Sequence, residues 1–394
     1  MKSYAFVGSW SMKPGQKGIH IYEYDPETAG LHYLRTLHEE SNVGNQYYDK
    51  GRRTLYATDE GQNVPGTAAG RILTFRVDPE EGLCDLSVMT TILPKPSAVC
   101  LDRSGDFLLI AHHSNRGSVT QAVRSKDGRW TSRTVSDEAC LALAGVGEDG
   151  IPGEILDCVI TRGEDPYGSL HMLSHMHNVT ADPSGVLYLV CDKGMDCIYS
   201  FRLNHLEKRL ELLQKTETPD GSAPRYVVFH PTLPIVYENN ERKPLLNTYR
   251  YSTQDGKLGL LDTITFTEEM VSAGSTGAAA TAAGGFGLPG FTCQLSDLVI
   301  HPDGQVLYSS FRGTDSILVL TIDEDGIPHP GQVISCGGVN PRGLCVSPDG
   351  RFLLCANIES GDLARFSIQE DGTLRAAGEP VRAHMPANIV IAEL

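Results

Sequence analysis

A short repeated unit constrains the fold of this chain more than any other feature. Its clearest copies are DPSGVLYLVCDKGMDCIYSF from Asp182, HPDGQVLYSSFRGTDSILVL from His301 and SPDGRFLLCANIESGDLARF from Ser347. Each copy opens with a Pro-Asp-Gly or Pro-Ser-Gly turn, in which proline presets φ and glycine tolerates a positive φ. A strand of alternating bulky residues, a polar turn and a second strand follow.

Four weaker copies extend the repeat over the whole chain, beginning at Phe6, Tyr48, Asp102 and His230. In the better copies a stretch such as DEDG or QEDG precedes the next apolar strand. The copies recur about every 45–55 residues, a period typical of four-stranded antiparallel propeller blades. Seven copies therefore predict an all-β fold in which residues 1–394 form a single seven-bladed β-propeller.

The two ends of the chain look incomplete when each is taken alone. The copy at Phe6 lacks its opening strand, while the chain ends in an additional apolar stretch, ANIVIAEL. An unpaired strand edge invites aggregation, and closed propellers avoid it. We therefore expect the N- and C-terminal strands to share one blade and close the ring.

Two of the repeat units contain more residues than one blade needs. Residues 124–170 contain a long polar segment, and residues 267–292 contain the run SAGSTGAAATAAGGFGLPG. Long loops between blades often form a mouth or lid, although a Gly/Ala run is also typical of a flexible segment. We predict an insert in each region.

The formal net charge of −16 disfavours two classes of partner. Nucleic acids and anionic membranes carry negative charge and would be repelled. No apolar run approaches the ~20 residues of a membrane span, and no signal-peptide core follows the first residues. We expect a cytoplasmic protein whose ten cysteines are mostly buried thiols. The oligomeric state is left open.

Five stretches of the chain resemble the lactonase family of seven-bladed propellers. This family includes propeller-type 6-phosphogluconolactonases and the cofactor-free 3-carboxy-cis,cis-muconate lactonising enzyme. The resemblance extends over nearly the whole chain and is best in SHMHNVTADPSG (174–185), APRYVVFHP (223–231), ENNE (238–241), SSFRGTDSI (309–317) and NPRGLCVSPDG (340–350).

The resemblance implies a set of site residues, because the family places a histidine, two arginines and a glutamate in its central cleft. The matching positions here are His177, Arg225, Glu241 and Arg312. Further candidates for substrate contacts at the mouth of the channel are His175, Lys193, Asn240 and Arg342.

Three positions depart from the family pattern and bear on the choice of substrate. Tyr226 stands where the family usually has a histidine after Pro-Arg, and Ala98 stands where it usually has a histidine in the third blade. Phe311 precedes Arg312, where Asn is usual. These changes leave the proposed chemistry intact.

The four candidate catalytic residues suit the opening of a cyclic ester. This reaction needs an activated water, stabilisation of an oxyanion and a proton for the leaving alkoxide. Arg225 and Arg312 could bind carboxylate or phosphate oxygens, or form a structural ion pair with Glu241. Glu241 could be a general base or a clamp that orients an arginine. Asp59 and Glu60 look like a solvated or structural pair.

A metal site is a weaker alternative, carried by the spacing of His171, His175 and His177. The reaction of the family is understood to need no metal, and no carboxylate accompanies these histidines at metal-site spacing. The pair Cys191 and Cys197 is a weak signal for a metal or a disulfide. We therefore expect neither a metal nor a cofactor.

The sequence thus predicts a lactonase that hydrolyses a sugar lactone, such as 6-phosphogluconolactone or a related aldonolactone, in carbohydrate metabolism. Two alternatives stay open: a muconate-type cycloisomerase, and a non-catalytic propeller that binds other proteins. The absence of a GxSxG elbow argues against a serine hydrolase. No GxGxxG follows a predicted strand, which argues against a dinucleotide-binding fold.

Overall fold

Seven antiparallel sheets carry the fold, and each corresponds to one copy of the repeat. The computed structural model describes residues 2–11, 17–61, 69–114, 118–162, 173–272 and 293–394. Six sheets have four strands, and the seventh has a short additional strand at its outer side. The predicted all-β, seven-bladed architecture is confirmed.

The sheets are numbered as blades 1 to 7 in chain order. The strands of blades 1 to 3, with a hairpin, are β1 (Ser3–Ser9), β2 (Gly18–Asp25), β3 (Gly30–Leu37), β4 (Gln46–Asp49), β5 (Thr54–Asp59), β6 (Arg71–Asp78), β7 (Gly82–Thr90), β8 (Pro96–Leu101), β9 (Phe107–His112), β10 (Ser118–Arg124), β11 (Trp130–Ser136), β12 (Ala139–Val146) and β13 (Pro152–Thr161).

Blades 4 to 7 follow along the chain. Their strands, with one short helix, are β14 (Met176–Ala181), β15 (Tyr188–Asp192), β16 (Cys197–Asn204), β17 (Arg209–Glu217), β18 (Pro224–Phe229), β19 (Ile235–Asn240), β20 (Leu245–Tyr251), β21 (Leu258–Thr265), α1 (Glu268–Ser272), β22 (Gln294–Ile300), β23 (Val306–Arg312), β24 (Ser316–Ile322), β25 (Pro328–Ser335), β26 (Pro341–Val346), β27 (Phe352–Asn357), β28 (Asp362–Ile368), β29 (Leu374–Ala376) and β30 (Val381–Arg382).

The last strand, β31 (Pro386–Glu393), is the innermost strand of blade 1 and pairs antiparallel with β1. The innermost strands of the seven blades are β31, β4, β8, β14, β18, β22 and β26. Each of them contacts the next, and β26 contacts β31. The ring is therefore closed by the two ends of the chain, as predicted.

Apolar side chains fill every interface between neighbouring blades. There are seven separate clusters of buried apolar residues, one for each pair of adjacent blades. In β1, Tyr4 and Phe6 pack towards blade 2, while Ala5 and Val7 pack towards blade 7. Successive side chains of a strand point to opposite faces, so a strand buried on both faces must be apolar at successive positions.

The tyrosine of the repeat binds one blade to the next. The hydroxyl groups of Tyr56, Tyr237 and Tyr308 donate to the carbonyl oxygens of Gly150, Gly326 and Gly372 at 2.8, 2.9 and 2.9 Å. A buried tyrosine needs such a partner for its hydroxyl. Each of these glycines closes the turn before the outer strand of the next blade, with φ between 80° and 82°. This recurrent bond explains why both residue types belong to the repeat.

The extra segment of blade 3 differs from the predicted insert at 124–170. Strands β10 and β11 form a separate hairpin between β9 and β12. Residues 139–161, which the prediction included in the insert, form β12 and β13 and complete blade 3. Residues 163–172 lie outside the described part of the chain. The same holds for 273–292, which includes most of the second predicted insert.

The cysteines are mostly buried, as expected. Seven of the ten are buried, and Cys84 is exposed. No disulfide joins any of the ten, all of which lie within the described residues. In the described part of the chain, no helix has the length and apolar character needed to cross a membrane.

The closure of the ring can be tested at Ile391, which pairs with Ala5 and is 7% exposed. We expect Ile391→Ala to lower the free energy of unfolding by about 2–5 kcal/mol, because it leaves a cavity between blades 1 and 7. Urea unfolding at equilibrium measures this change. Leu206→Ala is the control, since Leu206 is 96% exposed. Equal unfolding free energies in the two variants would contradict the proposed closure.

Candidate active site

The polar side chains of the candidate site share two positions of the repeat. One position lies at the end of the second strand of a blade or directly after it, and the other lies at the start of the innermost strand or directly before it. These two positions pair across the sheet, as shown by the backbone bonds from Lys193 to His175 (3.0 Å) and from Glu241 to Ala223 (2.8 Å). All such residues therefore meet at one mouth of the central channel.

Two aspartates fix the turn that presents Lys193. Asp192 accepts hydrogen bonds from the backbone of His175 (2.7 Å), Gly194 (3.0 Å) and Met195 (3.1 Å). Asp196 accepts bonds from the backbone on the way into blade 5, at 2.7 and 2.8 Å. A Cβ on Gly194 would lie 1.6 Å from a backbone oxygen, so only glycine fits there. The motif DKGMD thus holds Lys193 at the mouth.

One carboxylate binds three cations at the centre of the site. Oε2 of Glu241 lies 3.0 Å from Nε of Arg225 and 3.5 Å from Nη2 of Arg312, and it also forms an ion pair with Lys193. Arg225 is 3% exposed, and the other three side chains are between 11% and 16% exposed. The structure therefore brings together residues from blades 4, 5 and 6.

The pKa of Glu241 follows from this arrangement. Burial alone would raise it, but Lys193, Arg312 and Arg225 outweigh burial and hold the pKa well below its usual range. Burial lowers the pKa of Lys193 to about 7, although Glu241 opposes this shift. Burial also lowers the pKa of Arg312 to about 10. Glu241 is therefore ionised at neutral pH, while Lys193 is close to its midpoint.

Arg225 is positioned by its neighbours on the innermost strands. Its Nη1 donates to the carbonyl oxygen of Ser296 in blade 6, and its guanidinium carbon lies 4.8 Å from the ring centre of Tyr226. The imidazole of His177 packs edge-on against the same tyrosine, with ring centres 5.3 Å apart. Tyr226 thus fills the position between the arginine and the histidine.

His177 is the neutral imidazole among these side chains. Burial lowers its pKa well below the ordinary value, and the charges of Arg225 and Lys193 lower it further. Its Nδ1 is buried and has no hydrogen-bond partner among the described residues. A buried ring nitrogen without a partner is costly, so a ligand that bonds to it would be favoured.

His175 lies beside the site and faces a different partner from His177. Its Nδ1 lies 3.1 Å from Nδ1 of His113 and 3.3 Å from Oγ of Ser114. The ring of His113 lies 6.4 Å from that of His177. His175 is therefore engaged with His113 and Ser114 of blade 3, and we expect it to support the site from this position.

Asn240, predicted to contact substrate at the channel mouth, is instead buried within blade 5. Its amide donates to the carbonyl oxygen of Leu245 within blade 5 at 3.3 Å, and the side chain is fully buried. Glu241, the next residue, lies just beyond the end of β19, and its carboxylate reaches the cations at the mouth. Asn240 is therefore not oriented towards the channel.

Arg342 lies at the start of the innermost strand of blade 7. Its guanidinium carbon lies 4.3 Å from the ring centre of Trp10, whose Nε1 donates to Glu60 at 2.9 Å. Asp59, next to Glu60, is buried and accepts from Arg71 and from the backbone of Asn42 at 2.8 and 2.7 Å. Asp59 is thus structural, as expected, whereas Glu60 is part of the mouth.

The described residues contain no group of three or more His, Cys, Asp and Glu side chains arranged to hold a metal ion. His171, one member of the histidine series considered above, lies outside the described residues. The described donor set at the mouth is rich in cations, which does not suit a metal cation.

A groove of about 610 Å³ lies on the opposite face of the propeller, between blades 2, 3 and 4. Its arginines are engaged in structural bonds. Arg52 donates to the carbonyl oxygen of Gly105 at 2.6 Å, and Arg103 donates to that of Ser184 at 2.9 Å. The channel mouth, with its clustered titratable groups, is the better candidate for an active site.

Comparison with known proteins agrees with this architecture. The family model described as "Lactonase, 7-bladed beta-propeller" matches residues 4–391. This chain belongs to the seven-bladed β-propeller lactonase family. The resemblance noted in the sequence is confirmed, and within this lactonase fold the four matched positions meet at one mouth.

Two curated relatives cover most of the lactonase chain. The 6-phosphogluconolactonase of Formosa agariphila is 24% identical over 372 residues, covering 92% of this chain and 91% of the relative. The 6-phosphogluconolactonase of Cronobacter sakazakii is 24% identical over 384 residues, covering 97% of each. The solved periplasmic gluconolactonase PpgL of Pseudomonas aeruginosa is similar in fold, with a TM-score of 0.78, 22% identity and coverage of 100% of this chain and 99% of that one.

Sequence reasoning missed three residues of the lactonase mouth: Trp10, His113 and, in part, Glu60. Their position in the repeat could have identified them from the sequence. Each directly follows the second strand of its blade, as Lys193 does in blade 4 and Glu241 in blade 5. Alignment of the seven copies at this position would have identified all three.

The depressed pKa of Lys193 predicts a pH-dependent stability. Between about pH 7 and 10.5 the unfolded chain keeps a proton that the folded lactonase has released. The free energy of unfolding therefore rises with pH in this window. In Lys193→Met, we expect the free energy of unfolding to increase over this pH range by at least about 1 kcal/mol less than it does in the wild type.

Urea unfolding at neutral and alkaline pH measures the effect of Lys193→Met. Lys257→Met is the matched control, because its side chain is 70% exposed and pairs with Asp255 at the surface. The control should follow the wild type at both pH values. Identical pH dependence in the Lys193 variant and the wild type would contradict the assigned pKa.

Proposed function

We propose that this protein hydrolyses a sugar lactone at the channel mouth. The observation that carries the proposal is the convergence of His177, Arg225, Arg312 and Lys193 around the carboxylate of Glu241. A lactone carbonyl needs a base for water, cations for an oxyanion and an acid for the leaving oxygen. The site offers each of these from a different side chain.

The two arginines suit the carbonyl oxygen, which becomes an oxyanion when water attacks. Nε of Arg312 is buried and donates no hydrogen bond to a described residue. Its only ion pair among these residues is the long one to Glu241, at 3.5 Å. A donor left in this state favours a ligand that supplies an acceptor. In a partly buried site, such a charge stabilises an oxyanion more strongly than it would in water.

His177 suits the activation of water. Its imidazole is neutral at neutral pH because burial lowers its pKa, so it can accept a proton from water as the oxygen attacks the carbonyl carbon. The histidinium formed in this step would be stabilised by the growing negative charge on the oxyanion. His177 is therefore assigned as the general base.

Lys193 suits the departure of the ring oxygen. When the tetrahedral intermediate collapses, the bond between the carbonyl carbon and the ring oxygen breaks and an alkoxide leaves. A lysine with a pKa of about 7 can donate a proton to it at neutral pH. Oε2 of Glu241 is already shared by three cations, so we assign Glu241 no proton transfer; its role is to position these cations.

The substrate we propose is 6-phosphogluconolactone or a related aldonolactone, in carbohydrate metabolism. The proposal is supported by membership of the lactonase family and by the names of the two curated relatives. The mouth is rich in cations although the chain has a net charge of −16, which supports an anionic substrate. A cytoplasmic location remains a prediction, which cell fractionation would test.

The proposed function predicts that wild-type protein opens sugar lactones faster than their spontaneous hydrolysis. We expect His177→Asn to lower kcat by about 10²–10⁴-fold, since the general base is lost while the side chain keeps a similar size. The change in KM should be small. Initial rates on 6-phosphogluconolactone and on glucono-1,5-lactone measure both parameters.

The matched control is His329→Asn, whose side chain is 58% exposed and pairs with Asp323 on the surface. It should keep wild-type rates. Melting temperatures should be equal in the variants compared. Absence of lactone opening by the wild type would refute the function, and wild-type kcat in His177→Asn would refute the assigned base.

A further inference from the structure

A second polar group lies across the channel mouth from Glu241. It consists of Arg342, Trp10 and Glu60, called the Arg342 cluster below. Arg342 belongs to blade 7, Trp10 follows the second strand of blade 1, and Glu60 follows the second strand of blade 2. The cations around Glu241 belong to blades 4, 5 and 6. The two groups therefore occupy opposite arcs of one ring.

The Arg342 cluster is built to hold the guanidinium in place. The indole of Trp10 lies under it at 4.3 Å and is fixed by its hydrogen bond to Glu60 at 2.9 Å. Gly44 provides the space for this arrangement, because a Cβ there would lie 2.0 Å from Oε1 of Glu60. Gly44 lies next to Asn45, whose side chain accepts from the backbone of Val99 at 3.1 Å and so fixes this part of the innermost wall.

The guanidinium of Arg342 has different partners from the guanidinium groups of the other two channel arginines. Arg225 and Arg312 share the carboxylate of Glu241. Arg342 forms no ion pair within the described residues, and its side chain donates no hydrogen bond to any of them. It is half-buried and stacks on the indole of Trp10, which leaves the donor edge of the guanidinium for a ligand.

We propose that Arg342, held by Trp10 and Glu60, binds an anionic group at the end of the substrate remote from the lactone carbonyl. The inference rests on the proposed function, since it places the carbonyl at His177 and Arg312. A guanidinium binds phosphate or carboxylate through two parallel hydrogen bonds. The cluster therefore selects acidic sugar lactones over neutral ones.

Glu60 is compatible with an anion nearby. Its carboxylate is held by the indole of Trp10, and burial raises the pKa of the group, although Arg342 opposes the shift. The raised pKa makes Glu60 easier to protonate than an exposed glutamate, and the indole N–H of Trp10 partly neutralises its carboxylate. Tyr226, which packs against Arg225, is also close enough to Arg342 and Glu60 for their charges to influence its pKa.

Three lactones test the inference: 6-phosphogluconolactone carries a phosphate, glucaro-1,4-lactone carries a carboxylate, and glucono-1,5-lactone carries neither. For Arg342→Gln, we expect kcat/KM to fall about 10–100-fold on a charged lactone that the wild type prefers, as for a lost hydrogen bond to a charged group. The rate on the neutral lactone should stay within about twofold. Comparison of the losses on 6-phosphogluconolactone and on glucaro-1,4-lactone shows whether phosphate or carboxylate is recognised.

Two further variants make the kinetic test specific. Arg375→Gln removes an exposed arginine outside the channel and should leave all three rates unchanged. Arg342→Lys keeps the charge without the planar fork and should fall between the wild type and Arg342→Gln; it replaces the latter if that variant does not fold. An equal loss on charged and neutral lactones, or no loss, would overturn the inference.

Binding can also be followed without turnover, because the chain has only two tryptophans. In a Trp130→Phe background Trp10 alone reports, and Trp130 is 68% exposed on the hairpin. We expect 6-phosphogluconate or glucarate to change the emission of Trp10, gluconate to change it less, and Arg342→Gln to abolish the difference. The same response to gluconate and to both charged acids would overturn the inference. Loss of the proposed function would instead show as a wild type that opens none of the three lactones.

Discussion

The pairing of β31 with β1 is the contact on which the rest of the molecule depends. Every blade buries apolar side chains on both faces, so a blade without a neighbour on one side would expose a complete apolar surface. The last strand of the chain removes this exposure by completing blade 1 between blades 7 and 2. The ring then fixes the distances between innermost strands that are far apart in sequence.

The closed ring explains how an ion cluster can be assembled from three blades. Glu241 alone would be costly to bury, and so would each of its three cations. Together they compensate one another, and the cluster keeps an excess of positive charge that an anionic substrate or an oxyanion can neutralise. Burial is the main cause of the lowered pKa of Lys193, and the neighbouring arginines add to it; the same cations outweigh burial at Glu241. Glu241 is held ionised, whereas the proton of Lys193 is released more easily.

Much of the architecture could be predicted from the repeat, because its turns and strands follow local rules. The shared blade was predictable for the same reason, since one end lacked a strand that the other end supplied. The insert at 124–170 was placed wrongly because blade 3 is interrupted by a hairpin. The turn GEDG at 147–150 resembles the DEDG and QEDG turns of other blades and marks residues 139–161 as blade strands.

The candidate site was only partly predictable. His177, Arg225, Glu241 and Arg312 came from family resemblance, and the structure brings them to one mouth. Asn240 was also predicted at the mouth, but its side chain is buried within blade 5 and donates to the carbonyl oxygen of Leu245. His113, Trp10 and Glu60 carry different side chains at equivalent positions of the repeat. Their common role depends on where the strands end in three dimensions, which residue types alone do not show.

The most direct test of this account is a crystal structure with a bound product, such as 6-phosphogluconate. The account predicts that the ligand occupies the channel mouth, with its carboxylate on Arg312 and beside His177 and its phosphate on Arg342. Binding of the ligand in the groove on the opposite face, with the mouth empty at saturating ligand, would contradict it.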